Sequence, residues 1–241
     1  REGVVSALPT EDLPPMLKFA HRVAGLFARR RALHAERSDR LARAVTRLGP
    51  SWVKLGQFLA TRPDVVGADI ALDLSALQDS MATFPESEAR AAIEGSLGRS
   101  VDELYSSFEP PVAAASIAQV HPAVVETADG PKKVAVKVIR PGVRKRFRAD
   151  LDTFFLVAEL QEKFVPAARR LRPVEITKTL EQTTRIEMDL RLEAAALSEM
   201  ADNIKNDTGF RVPEVDWERT GRDCVTMEWV DGIKMGDVPA L

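Results

Sequence analysis

The sequence predicts an α+β fold in which helices come first and an antiparallel sheet follows. Three observations carry this. Up to residue 98 the apolar positions recur at helical spacing, interrupted by Gly49-Pro50 and Pro63. From Pro111 to Ile139 the chain turns β-branched, with IAQVHPAVV and KVAVKVI separated by the turn-like ETADGP, which reads as a hairpin. Two long helical patterns, near 143–165 and 174–206, then lead to the strand-like runs FRVPEV and CVTMEWV.

In chain order, residues 16–48 read as two helices. The first sets Leu17, Ala20, Ala24, Phe27 and Ala28 at helical spacing among Lys18, Arg22, Arg29, Arg30 and Arg31. Residues 1–48 carry ten Lys/Arg against five Asp/Glu, while the rest of the chain is acidic. Such a basic amphipathic helix suits an anionic membrane surface or a nucleic acid, and equally a solvated helix packed on its own domain. A helix over 51–61 is stopped by Pro63, because the residue before proline is pushed out of the α region. Within it, Lys54, Gly56 and Gln57 stand among apolar residues. A mid-helix glycine costs roughly 0.5–1 kcal/mol relative to alanine, so Gly56 predicts a close backbone approach. Helices at about 69–80 and at 86–98, the latter opened by Pro85-Glu86 and closed by Gly98, complete the helical part. The expected division is a helical extension over 1–108 and a sheet domain over 109–241.

Composition narrows the function classes. With 241 residues, 45% of them hydrophobic, the chain has enough apolar material for one large domain or two small ones. The single cysteine, Cys224, excludes a disulfide framework, and the three histidines show no metal-ligand spacing. A reducing compartment follows. No apolar run approaches the roughly 18 residues needed to span a bilayer. A flavin site would need a strand followed by GxGxxG and a helix, which does not occur, and no nucleic-acid-binding module is recognisable in the acidic remainder. His121 and Cys224 read as structural strand residues without partners, and Trp52, Trp217 and Trp229 as core or hinge anchors.

Chemistry enters at Ala135-Val136-Lys137, near the end of the hairpin. A strand lysine after a small and a β-branched residue is how protein kinases offer a cation to the α- and β-phosphates of a nucleotide. One strand earlier, where a kinase has GxGxxGxV, residues 113–120 read AAASIAQV, with Ala113, Ala115 and Ala118 at the glycine positions and Val120 at the valine. MEWV at 227–230 suits a gatekeeper and hinge. The helix at 174–206 offers the acids Glu187, Asp189 and Glu193. Asp189 and Glu193 would be an i,i+4 pair whose repulsion, roughly 0.2–0.5 kcal/mol, two lysines relieve: Lys137 on Glu193, and Lys54 on Glu187 and Asp189. The expected fold is a kinase-like N-lobe, an antiparallel sheet plus a helix of the αC type.

KLGQ at 54–57 followed by TRPD, AAASIAQVH at 113–121, VAVKVIRPGV at 134–143 and EMDLRLEAA at 187–195 together resemble the UbiB family of atypical kinases. The resemblance covers the chain from about residue 49 onward. It implies a helical extension bearing a KxGQ signature (Lys54, Gly56, Gln57) that gates the nucleotide cleft, an alanine-rich loop, an ExD motif at Glu187 and Asp189, and an ion pair between Lys137 and Glu193. Nucleotide contacts then fall to Ala113, Ala114, Ala115, Ser116 and Ile117 of the loop, to Val120, Ala135 and Lys137, and to Met227, Glu228 and Val230 of the hinge. The implied cofactor is ATP or ADP with Mg²⁺, and the implied role is an ATPase supporting ubiquinone (isoprenoid quinone) biosynthesis. Implied partners are other proteins of that pathway and, through residues 16–48, the inner face of a bacterial membrane. The alternative is a nucleotide-binding pseudokinase scaffold or a lipid-associated interaction module. Neither an HRD-type loop nor a DFG aspartate occurs, so the metal ligands are expected in a C-lobe beyond Leu241, and this stretch alone is expected not to turn nucleotide over. Alanine's Cβ disfavours the positive φ by which a glycine loop closes on phosphate, which predicts poor transfer to a protein.

Overall fold

The computed structural model describes residues 37–75, 77 and 81–233. They fall into two compact units, one of residues up to Met81 with Lys145–Glu181, the other beginning with Ala82–Arg144 and resuming at Gln182. The predicted helix within 16–36 lies outside the described residues.

The first unit is helical. Helices α1 (Arg37–Leu48), α2 (Pro50–Ala60), α3 (Pro63–Val66) and α4 (Ala68–Ser75) follow one another through tight turns. Gly49 turns α1 into α2 at φ +109°, and Pro50 opens α2 where a missing N–H costs nothing. Arg146 Nη2 donates to the carbonyl of Leu48 at 2.6 Å, capping the end of α1. A Cβ on Gly49 would lie 2.6 Å from that guanidinium. Gly49→Ala is therefore expected to cost about 2 kcal/mol, from left-handed strain and the displaced cap, read as a lower urea midpoint with unchanged m-value.

Most of α7 (Val143–Phe164) belongs to this unit, and its buried Phe147, Leu151, Phe154 and Ala158 recur at helical spacing. Trp52 meets Phe154 edge-on at 4.9 Å. Arg169 closes the end of α7 by donating to the carbonyls of Glu162 (2.7 Å) and Lys163 (3.1 Å). The Glu162 carboxylate accepts the Val174 N–H at the start of α8 (Pro173–Glu187), at 3.1 Å.

The second unit is a six-stranded antiparallel sheet with helices. The order is β1 (Ser107–Phe108), β3 (Ala118–Thr127), β4 (Gly130–Ile139), β6 (Cys224–Glu228), β5 (Val215–Asp216), and β2 (Ala113–Ala114) also pairs with β3. The hairpin β3–β4 pairs without a slip from Thr127↔Gly130 to Ala118↔Ile139, around an Ala128-Asp129 turn that leaves Gly130 at φ +107°. Pro122 sits inside β3 where β1 ends and β2 has not begun, so its missing N–H breaks no ladder with those strands.

Opposed residues in antiparallel strands share a face, which gives this sheet two different sides. One side carries Ala123, Val125, Val134, Val136, Val138 and Cys224, packed against Ala89 and Ile93 of α5 (Glu86–Leu97) and against Val101, Leu104 and Tyr105 in and beside α6 (Val101–Leu104). Each fully buried Val, Leu or Ile there contributes roughly 1.5–3 kcal/mol. Burial pushes the Cys224 thiol up to about 11 and raises Tyr105, whose hydroxyl lies 2.7 Å from Thr226 Oγ1. The helices at 86–104, grouped by sequence with the extension, thus cover the sheet.

Three expectations change. The helix read over 174–206 is two, α8 and α9 (Leu190–Ile204), broken at Met188-Asp189. Only Val215 of FRVPEV is in a strand, because β5 pairs for just two residues, Val215↔Met227 and Asp216↔Thr226. Trp217, expected as an anchor, is half exposed in a 3-10 turn.

Candidate functional site

The other side of the sheet gathers the chemistry. Val120, Lys137 and Val225 are directly opposed across β3, β4 and β6, Ala135 is opposed to Met227, and Ala113 to Val120. One face therefore carries Ala113, Val120, Ala135, Lys137 and Met227. Lys137 Nζ lies 2.8 Å from Glu193 Oε1 and 2.7 Å from Oε2. With side chains 27% and 37% exposed, the pair adds little to stability; its value is that it fixes one ammonium geometry. Glu193 sits one turn into α9, which packs on β6 and β5.

The alanine loop is a tight turn in which the Ala115 N–H donates to the Ala118 carbonyl at 2.8 Å, so this amide is spent on the chain itself. None of residues 113–118 has positive φ. Ser116 and Ile117 are buried, and the Ile117 carbonyl accepts the Arg140 N–H at 2.8 Å. Ala114, opposed to Gln119, faces the opposite side from Lys137. The Glu228 side chain also faces away, with Val134, and pairs with Arg211 at 2.7 Å, which holds its carboxyl below the usual range. Val230 is half exposed past the strand end, and Lys133 Nζ stands 4.1 Å from the centre of the Trp229 ring.

Asp189 is not on a helix face with Glu193. It caps α9: Oδ1 accepts the Arg191 N–H at 3.3 Å, and its two oxygens take Arg191 Nε at 2.9 Å and Nη2 at 2.7 Å. That bidentate bond to Arg191 holds the Asp189 carboxyl below its ordinary value. Glu187, the last residue of α8, is exposed. Lys54, Gly56 and Gln57 lie in the helical unit. Gly56 is needed for packing within that unit, since a Cβ there would collide with Leu77 Cδ1 and touch Leu74 and Val45 at 3.5 Å. Within this unit the close approach that the glycine predicted is met by Leu77, with Leu74 of α4 and Val45 of α1 at contact distance.

The largest departure from the sequence reading concerns Gln119 and His121, both fully buried on the α5 side of β3. The Gln119 amide accepts the Phe84 N–H at 3.0 Å and donates to the Phe84 carbonyl at 3.2 Å, as a neighbouring strand would. It also lies 2.9 Å from His121 Nε2, while His121 Nδ1 lies 2.8 Å from the Glu109 carbonyl. Only the neutral tautomer with the proton on Nδ1 satisfies all of these contacts. Phe108 stacks on the imidazole at 4.5 Å. His121 therefore has partners on both nitrogens, contrary to expectation; the alternation of β3 put it on the buried face, where both ring nitrogens need one.

A strand lysine paired with a helix glutamate on an antiparallel sheet is the frame of a kinase N-lobe, and comparison with known proteins specifies which kind. The pattern of the ABC1 atypical kinase-like domain matches residues 76–241. The chain belongs to that family. Within the family, similar proteins are named probable protein kinase UbiB: one from Marinobacter nauticus is 42% identical over 237 residues, 97% of this chain and 42% of the relative. Another from Cellvibrio japonicus is 44% identical over 206 residues, 85% of this chain and 37% of the relative. One from Pseudomonas paraeruginosa is 37% identical over 233 residues, 94% of this chain and 43% of the relative. The chain spans about two fifths of the length of these relatives. Its sheet unit is the family's kinase-like N-lobe.

Proposed function

We propose that this chain supplies the nucleotide-binding N-lobe of an atypical kinase-like ATPase that supports isoprenoid quinone biosynthesis, the relatives being named as probable protein kinases UbiB. The observation that carries the reading is the Lys137–Glu193 pair on the sheet face shared with Val120, Ala135 and Met227. On this reading Glu193 steadies the ammonium, Lys137 meets the α- and β-phosphates of ATP or ADP, and Val120, Ala135 and Met227 form an apolar seat for the base. On the same reading Mg²⁺ would accompany the nucleotide phosphates and neutralise their charge. The self-bonded Ala115 amide supports a loop that grips phosphate less than a glycine loop does, and so favours hydrolysis or transfer to a small acceptor over transfer to a protein.

The test is titration of the complete protein with a fluorescent ADP analogue and Mg²⁺. Lys137→Ala is expected to weaken binding about tenfold or more with little change in thermal stability, because the pair is partly exposed. Unchanged affinity would remove the reading. A binding-competent parent without turnover would favour the pseudokinase scaffold.

We assign the basic segment 16–48 to an anionic membrane surface, with the protein peripheral at the inner face of a bacterial membrane. No helix among the described residues is long and apolar enough to cross one. Salt-sensitive binding to anionic vesicles, lost on deleting 16–48, is the expected result.

A further inference from the structure

The geometry that presents Lys137 to Glu193 depends on a residue that the sequence hides in a basic run, VRKRFR. Arg144 is the second residue of α7. Its Nη1 ion-pairs with Asp223, its Nη2 donates to the carbonyl of Met188, and the carbonyl of Arg222 stands 3.5 Å from the same nitrogen. Each partner occupies a joint. Met188 lies in the break between α8 and α9, where a helix end leaves carbonyls without amide partners. The Arg222 carbonyl also accepts the Leu190 N–H, the first of α9, at 3.1 Å. The Asp223 carbonyl accepts the Ile139 N–H at 2.8 Å, at the end of β4 and two residues beyond Lys137. One guanidinium thus ties the start of α9 to the end of β4. Glu193 is carried on the first and Lys137 on the second.

We propose that Arg144 is a positioning residue for the Lys137–Glu193 pair. It caps the α8 end through Met188, anchors the 222–223 segment that holds Leu190, and so sets where Glu193 meets the ammonium. A planar fork with donors pointing at a carboxylate and at carbonyls from two segments is a task for arginine rather than lysine. The inference rests on the nucleotide reading for its consequence, and on the hydrogen bonds alone for its structural half.

The experiment compares Arg144→Met and Arg144→Lys with the parent in the complete protein by two readouts. Hydrogen exchange at residues 190–193 is expected to quicken about tenfold in Arg144→Met, with α5 unchanged, and less in Arg144→Lys, which keeps a charge for Asp223 but not the fork. Affinity for a fluorescent ADP analogue with Mg²⁺ is expected to fall about tenfold in Arg144→Met, and adding that change to Lys137→Met is expected to cause no further loss, because both act through one ammonium. Unchanged exchange at 190–193, or additive losses in the double variant, would overturn the proposal. If Arg144→Met does not fold, Arg144→Lys decides by the same two criteria. If the parent binds no ADP, the nucleotide reading fails by itself, and exchange at 190–193 alone decides whether Arg144 sets the start of α9.

Discussion

Gln119→Leu is expected to destabilise the sheet unit by about 3–5 kcal/mol, as much as deleting a large core side chain. Leucine fills similar space, so the loss does not come from a cavity. It comes from three buried polar groups deprived together: the Phe84 N–H, the Phe84 carbonyl and His121 Nε2. Each buried group left unsatisfied costs roughly 1–3 kcal/mol. Gln119→Glu is a sharper version, since a carboxylate still accepts from Phe84 N–H but offers nothing to the Phe84 carbonyl and buries a charge. Chemical denaturation of both variants checks this. A cost under about 1 kcal/mol for Gln119→Leu would mean that water replaces the amide.

The contrast between Gln119 and Lys137 shows what the sequence disclosed and what it concealed. The hairpin was legible because alternation and the turn-like run ETADGP specify register locally, and register alone puts Val120, Ala135 and Lys137 on one face. Glu193 was legible as the partner of Lys137 from the order of strand and helix. The break at Met188-Asp189 was not, because it carries neither glycine nor proline and is held by bonds from Arg144 and to Arg222, distant in sequence. Gly56 announced a close approach without naming its partner, since a missing Cβ says only that something is near. The stripe of α5 likewise says that it is buried, not under which unit. Gln119 left no signal beyond a polar residue at an inward position of β3, and that mismatch with alternation was the available clue.

Acidification is expected to act first on His121. Burial holds its pKa below the ordinary histidine value, opposed by the Glu109 carbonyl and by Glu86, with Arg90 pushing in the same direction as burial. Protonation would turn Nε2 from an acceptor into a donor facing the Gln119 amide, and rotating that amide to oblige would abandon the Phe84 N–H. The unfolded chain, with histidine near 6.5, takes up the proton more readily than the folded one, so stability is complete above that value and falls as pH drops through it towards the lower folded pKa. The loss is at most about 1.4 kcal/mol per pH unit for this one group. The acids held low by ion pairs, Asp189 by Arg191 and Glu228 by Arg211, lose their contribution only in the carboxylate range further down. Urea midpoints measured from pH 7.5 to 5 should therefore decline in the parent and decline less in His121→Phe, which starts lower because Glu109 and Gln119 lose a partner. His21 and His34 remain in both proteins and cancel in the comparison. Parallel pH profiles for the two would show that His121 takes a proton as readily folded as unfolded, and that its bond to the Gln119 amide does not hold it neutral.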